Sequence, residues 1–424
     1  MKKIWYEPLN KNMNKQINHP NEEAWHWRQE TPFAQTVAVD DQIFISGQLS
    51  LDSNGVVLNQ GDIAGQTRNV FENMKQCLAE LDLTLSDLVR LNTYYVFNGD
   101  DADATQYWED MTRVRLEYFP DPGPAATAVR IKGMPYKGQL IQIEGVALRG
   151  DSRKNRQRIM PEGSWDWSIA VPLSQGWKVG NRIFVGGQIS ADKNGASVHV
   201  GDLDAQTRNI FKYIGNVLSN AGSSFKDIVH IKVCFKYDSR NPSTGVAFAD
   251  RILEISKEVI DGPAPVLTAF GVDLLYPGLD LEIDAMAIID ADRKTTPYAD
   301  APGQYQPEVF SQGVSAAGEI YVAGQTALNS NGGSLSESDF KAQSKVVYER
   351  LIKVLAQSNA SPEDVVKLNL FIVGSDDEIE ESFHQASRLW EEMCPNAHPC
   401  MTAVRVHELA KPDLLIQADC IALK

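Results

Sequence analysis

Cysteine is scarce in this chain. Its five copies in 424 residues, Cys77, Cys234, Cys394, Cys400 and Cys420, form neither an even set nor a metal-ligand spacing. No disulfide framework and no metal site are expected, and the thiols read as reduced and mostly buried. Positive charge is also short. Forty Lys and Arg stand against 56 Asp and Glu, a formal net charge of −16 at pH 7, so a nonspecific grip on nucleic acid or anionic lipid would work against the whole molecule's field. No apolar run reaches membrane-spanning length, and Met1 to Pro8 lack the apolar stretch of a secretion signal. The expected location is the cytoplasm, with no membrane and no nucleic acid among the partners.

What is present is globular composition, 43% hydrophobic and 23% charged, in a chain too long for one hydrophobic core. The chain also repeats itself. Gly61-Asp62-Ile63-Ala64-Gly65-Gln66-Thr67-Arg68-Asn69 returns 140 positions later as Gly201-Asp202-Leu203-Asp204-Ala205-Gln206-Thr207-Arg208-Asn209, with a weaker third copy at Ser338 to Lys345. A Gly-Gln pair precedes each copy, at Gly47-Gln48, Gly187-Gln188 and Gly324-Gln325, and an aspartate follows each, at Asp87, Asp227 and Asp364. From that glycine to that aspartate is 40 residues in all three copies, with Asp62, Asp202 and Asp339 always 15 residues in. Trp25 and Trp27 recur as Trp165 and Trp167, with Tyr305 alone in the third copy, and a Thr-Ala strand returns at Thr127, Thr268 and Thr402. Three domains follow, 25–148, 165–291 and 306–424. The polar segments Arg149 to Ser164 and Asp292 to Pro307 read as linkers, the basic first one as a solvated crossing.

Within one copy, alternation over Val37 to Ser50, broken at Asp40-Asp41, predicts a hairpin, and Val70, Phe71, Met74, Leu78 and Leu81 recur at helical spacing behind an Asp62 N-cap. The order is ββαβαββ, an α+β layer with helices on one face of the sheet. The other face carries apolar positions and needs a partner. Three linked copies supply it from the same chain, as a pseudo-threefold ring with sheets inward and helices outward, expected to be monomeric or a low-order oligomer.

The Gly-Gln strand end, the Asp-x-x-x-Gln-Thr-Arg-Asn helix start, the Asp-Leu-Val-x-Leu strand and the Pro-Ala-x-Thr-x-Val strand together resemble the RidA/YjgF family, the Rid superfamily, and the resemblance covers each repeat almost end to end. It implies a chorismate-mutase-like fold, trimeric packing with ligand clefts between subunits, and, for the well-known branch, metal- and cofactor-free hydrolysis of imines and enamines to a keto acid and ammonia. Carried over residue by residue, the family's Tyr falls on Phe33, Leu173 and Phe310, its carboxylate-binding Arg on Ala126, Leu267 and Met401, and its water-positioning acid on Gln142, Glu282 and Gln417. Only Glu282 keeps its chemistry, and Ala, Leu or Met has no equivalent of a bidentate guanidinium.

Other residues are candidates to fill those roles. Arg130 and Arg405 lie four residues beyond the missing arginines on the same strand face, and Glu144, Asp284 and Asp419 lie two beyond the acid. One reading makes Arg130 and Arg405 the substrate's anion holders, with Glu282, Glu144 and Asp419 as acids. Another pairs Arg130 with Glu144, and Arg405 with Asp419, across neighbouring antiparallel strands. Gly47, Gly187 and Gly324 either leave room for a ligand or mark bulges and tight packing. His384 reads as solvated, and Cys400 as a buried thiol. The expected function is a cofactor-independent hydrolase or deaminase acting on a small anionic imine, enamine or related conjugated metabolite. A non-catalytic small-molecule binder and a chorismatase-type hydrolase are the alternatives.

Overall fold

The computed structural model describes residues 15–19, 24–237, 243–296, 310–329, 331–336, 338–409, 411 and 413–424, the side chains of 243–249 excepted. Met1 to Pro8, Tyr305 and the second half of the Asp292 to Pro307 linker lie outside these residues.

The first domain runs β1 (Lys15–Asn18), β2 (Thr36–Val39), β3 (Gln42–Leu49), α1 (Ile63–Ala79), β4 (Leu88–Val96), α2 (Ala104–Arg113), α3 (Arg115–Tyr118), β5 (Ala125–Ile131) and β6 (Ile141–Leu148). The second follows with β7 (Arg156–Ile159), β8 (Gly176–Val179), β9 (Arg182–Ile189), α4 (Leu203–Asn220), β10 (Ile228–Lys236), α5 (Ser243–Val259), β11 (Val266–Val272) and β12 (Leu281–Ile288). The third has β13 (Lys294–Thr296), β14 (Gly313–Ala316), β15 (Glu319–Thr326), α6 (Phe340–Gln357), β16 (Val365–Ile372), α7 (Ile379–Met393), β17 (Cys400–Arg405), β18 (Glu408–Leu409) and β19 (Ile416–Leu423). The expected ββαβαββ order is present in each.

Both repeated aspartates are helix starters. Asp62, Asp202 and Asp339 each accept the backbone N–H three residues on, at 2.9 Å, satisfying a donor that the first helical turn leaves free. Asp87, Asp227 and Asp364 accept the N–H of Thr84, Ser224 and Ser361 and so close the single turn that leads into β4, β10 and β16. Gln66 anchors its helix elsewhere, donating to Gly138 O and accepting from Leu140 N, both at 2.8 Å.

The sheet order is β1-β2-β3-β6-β4-β5 in the first domain and β13-β14-β15-β19-β16-β17 in the third; the second, β11-β10-β12-β9-β8-β7, gains β18 of the third domain at its edge. The last strand of each copy therefore inserts mid-sheet, and β5 lies parallel to β4 at the rim. This corrects the expected Arg130–Glu144 and Arg405–Asp419 pairs: β4 separates β5 from β6, and β16 separates β17 from β19. The first linker is also more than a solvated crossing. Its residues Arg156–Ile159 pair with β8, and Arg156 stacks over Trp177 at 4.7 Å. Each domain takes an outer strand from the segment before it.

Helices cover one face of every sheet, and the other faces turn toward each other. Val89, Ala125 and Leu148 meet Trp177, Phe184, Val266 and Met286 and then Val314 and Tyr321, one apolar cluster drawn from three domains. Burying such faces is the main favourable term in closing the ring.

Candidate functional site

Each seam forms where the rim strand of one domain lies against the inner face of the next. β5 bridges Ser174 through Ala125, β11 bridges Ser311 through Val266, and β17 bridges Ala34 through Cys400. The rotation closes in side chains as well. Thr127 donates to Asp284 at 3.0 Å, Thr268 to Asp419 at 2.7 Å, and Thr402 to Glu144 at 2.5 Å.

The repeated glycines are required by what crosses them. A Cβ at Gly47 would stand 2.5 Å from Gln142 Nε2, one at Gly187 would stand 1.9 Å from Glu282 Oε1, and one at Gly324 would stand 2.7 Å from Gln417 Cδ. Each glycine thus admits the side chain at the family's acid position, and the ladder register shifts beside it. All three admitted side chains keep a buried oxygen without a partner: Gln142 Oε1, Glu282 Oε2 and Gln417 Oε1.

The seam between the first two domains differs from the others. Glu282 is 1% exposed and takes one long hydrogen bond, from Ala128 N of the first domain at 3.4 Å. Burial drives its carboxyl well above the usual glutamate range, with Asp284 adding and Ala128 and Lys232 opposing. Tyr95 on β4 sits opposite Arg130 on β5. Its buried hydroxyl has no partner, and Arg130 Nε has none either. Burial raises the Tyr95 hydroxyl, Arg130 pulls it down, and Glu282 pushes it up, so the phenol feels both charges. The matching residues in the other copies are Phe235 and Ile372. An acid, a phenol and a guanidinium, each with an unpaired buried atom, come together only at this seam among the described residues.

The seam between the third and first domains keeps space instead. A cavity of about 260 Å³ is lined by Trp25, Trp27, Phe33, Ser46, Glu391 and Met401. Trp25 donates to Gln48 Oε1 at 2.8 Å and Trp27 packs against Phe383, so the tryptophans roof this cleft. At the first seam Trp165 repeats the bond, to Gln188 Oε1, and Trp167 packs on Trp108 at 4.7 Å.

The other sequence candidates lie elsewhere. Glu144 and Asp419 line a small cavity of about 60 Å³ shared by all three domains, with Arg90, His230, Lys232 and Lys367, and Asp284 lies beside it against Arg90. Lys367 lies 2.5 Å from Glu144, and Arg90 lies 2.6 Å from Asp284. Burial opposes the charge on Glu144, but Lys367 and Lys232 prevail and hold it down at about 2. Asp419, bonded to Thr268 and Asn369, is instead raised by burial. Lys232 occupies the position of Asn92 and Asn369 and reaches Tyr94 Oη at 3.4 Å. Sequence reasoning found the acids of this cluster and missed its basic members, although polar residues at alternate positions of apolar strands, as in Leu-Val-Arg-Leu-Asn and Ile-Val-His-Ile-Lys, mark them.

Arg405 is held by Asp376 and by the carbonyls of Lys132 and Gly374, tying the third domain to the first. Arg130 contacts Asp101 at 2.8 Å and Asp273 of the second domain at 3.2 Å. His384 is 1% exposed and shares a hydrogen bond with Tyr136 at 3.2 Å, so it is not solvated: α7 turns that face onto the first domain. Cys400 is fully buried and its thiol is pushed up to about 11. No group of His, Cys, Asp and Glu among the described residues has the arrangement of a metal site.

A thrice-repeated fold with clefts at its seams can be compared with known proteins, and the endoribonuclease L-PSP family matches residues 26–149, 167–289 and 301–424. The chain belongs to that family. The 3-aminoacrylate deaminase RutC of Acinetobacter baylyi is 35% identical over 116 residues, 27% of this chain and 86% of that protein. The human 2-iminobutanoate/2-iminopropanoate deaminase is 29% identical over 119 residues, 28% of this chain and 81% of the other. A chorismatase crystal structure, 13% identical, covers 80% of this chain and 93% of its own with a TM-score of 0.49. This family member carries three copies of a unit that spans most of each of the two deaminases. No helix among its described residues is long and apolar enough to cross a membrane.

Proposed function

We propose that the chain is a hydrolase that adds water across the C=N bond of a small anionic imine, or its enamine tautomer, giving a carbonyl compound and ammonia at the seam between the first and second domains. Glu282 carries this reading. It stands at the family's acid position, buried, with one oxygen unpaired and its proton held to unusually high pH. Such a carboxyl orients a water by accepting from it and returns a proton to the departing nitrogen. Tyr95 is the second proton carrier and Arg130 the group that holds the substrate's anion. Deaminase relatives at 29–35% identity support the reaction class.

The test follows ammonia release from an imine generated in place by an amino-acid oxidase. The parent protein is expected to accelerate release and Glu282→Gln to remove most of the acceleration; no acceleration by the parent protein defeats the reading. The open cleft between the third and first domains favours a second reading for that seam, as a binding pocket without the deaminase chemistry, because the family's acid and arginine positions are Gln142 and Met401 there and its carboxylates, Glu30 and Glu391, stand elsewhere on the wall.

A further inference from the structure

The chain ends of β4, β5 and β10 surround a cavity of about 600 Å³. All three domains line it: Arg130 and Lys132 from the first, Lys236, Tyr237 and Asp273 from the second, His407 from the third. The volume is that of a small-molecule site, not of a few waters.

Two features of its wall point to the chemistry of a ligand. The first is cationic. Arg130, Lys132 and Lys236 outnumber Asp101 and Asp273 in a protein whose net charge is −16. The Arg130 side chain is 9% exposed, its Nε is unpaired, and one of its two carboxylate contacts is Asp101, itself 86% exposed. An ion pair with so exposed a partner contributes little and is readily exchanged for an incoming anion. The second feature is flat. Tyr237 and His407 stack face to face, centroids 4.7 Å apart and planes 18° apart, and Phe97 lies under the Arg130 guanidinium at 5.9 Å. Asp273 Oδ2 lies 3.0 Å from His407 Nε2, at the edge of that stack.

We propose that this cavity binds a small planar organic anion, its carboxylate on Arg130 with Lys132 and Lys236 beside it and its conjugated plane against the Tyr237–His407 stack. The inference rests on the assignment of Arg130 to the substrate's anion and deepens it: the substrate is planar and conjugated, and it is received where three domains meet. A single domain, or a seam between two, does not contain this wall.

Equilibrium binding separates it from catalysis. Benzoate is titrated into the full-length Glu282→Gln protein by calorimetry, with cyclohexanecarboxylate and inorganic phosphate in parallel. Saturable benzoate binding is expected, tighter than for the non-planar carboxylate, weakened roughly tenfold or more by Arg130→Gln. Because Arg130 also joins two domains, Lys236→Gln provides a second reading, with a smaller loss, and Tyr237→Ala is expected to weaken benzoate but not phosphate. Benzoate that fails to saturate, that binds Arg130→Gln and Lys236→Gln as well as the parent, or that is unaffected by Tyr237→Ala overturns the proposal. Ammonia release by the parent protein would stand in any of those cases.

Discussion

Thr402 of the third domain donates its hydroxyl to Glu144 of the first at 2.5 Å and thereby returns the chain's last repeat to its beginning. Thr127 to Asp284 and Thr268 to Asp419 are the same contact made one domain earlier each time. Thr402→Val keeps the shape, leaves Glu144 Oε2 to Lys367 alone and takes from the buried Lys367 ammonium its hydroxyl acceptor. It is expected to destabilise the protein by about 1–3 kcal/mol, read as a lower urea midpoint with unchanged slope; an unchanged midpoint would mean that closure does not depend on this bond.

Glu144 should make the ring acid-labile. Its folded value of about 2 lies below the ordinary 4.5, so its contribution is full above pH 4.5 and is lost as pH falls from there toward 2. Lys367→Met removes the principal partner and is expected to move acid unfolding to higher pH and to cost about 3–5 kcal/mol at neutrality. Circular dichroism against pH checks both, and coincident acid transitions for variant and parent would refute the assignment.

Glu282 has the opposite sign. Its folded value is raised, so the unfolded chain releases this proton first and stability declines as pH climbs above the ordinary glutamate range. Glu282→Gln is expected to melt higher than the parent at pH 7 to 8 and to match it near pH 4. A variant that is less stable at every pH would show that the carboxylate is satisfied in the fold.

Gly187→Ala separates position from presence. The added methyl meets the carboxyl end of Glu282, 1.9 Å away, and more loosely the Thr127 hydroxyl at 3.1 Å, so the Glu282 side chain yields and the fold survives at a cost of about 1–3 kcal/mol. Deaminase activity should fall by an order of magnitude or more while the carboxylate remains. Full activity in this variant would remove Glu282 from the reaction.

Each rim strand is already covered by the next domain, so velocity sedimentation is expected to give the mass of a single chain at micromolar concentration. A trimer of chains would mean that the modules prefer the copies of other molecules.

Much of this was legible in the residues. The 40-residue interval, the N-cap aspartates and the glycine before each helix are local or pairwise constraints, and each leaves a residue type at a fixed offset. Strand order is different: nothing in Ala125–Ile131 or Ile141–Leu148 says that the later strand slips between β3 and β4. The Arg130–Glu144 pairing failed on that point alone. The linker strand Arg156–Ile159 was hidden because Arg-Gln-Arg-Ile offers a single apolar residue to bury, as suits the rim of a sheet. Tyr95 escaped notice because a tyrosine in an apolar strand reads as core, and only the neighbouring domain's Glu282 gives its hydroxyl a meaning.

Lys232 occupies the register of Asn92 and Asn369 and acts on Glu144, Asp284 and Asp419 alongside Arg90 and Lys367. Identical chains around a threefold axis must place the same side chain there three times, so they would converge three lysines or have none. Covalent fusion lifts that arithmetic: an odd charge becomes admissible at the hub, and once it is installed, exchange of any module for a copy of its neighbour is penalised.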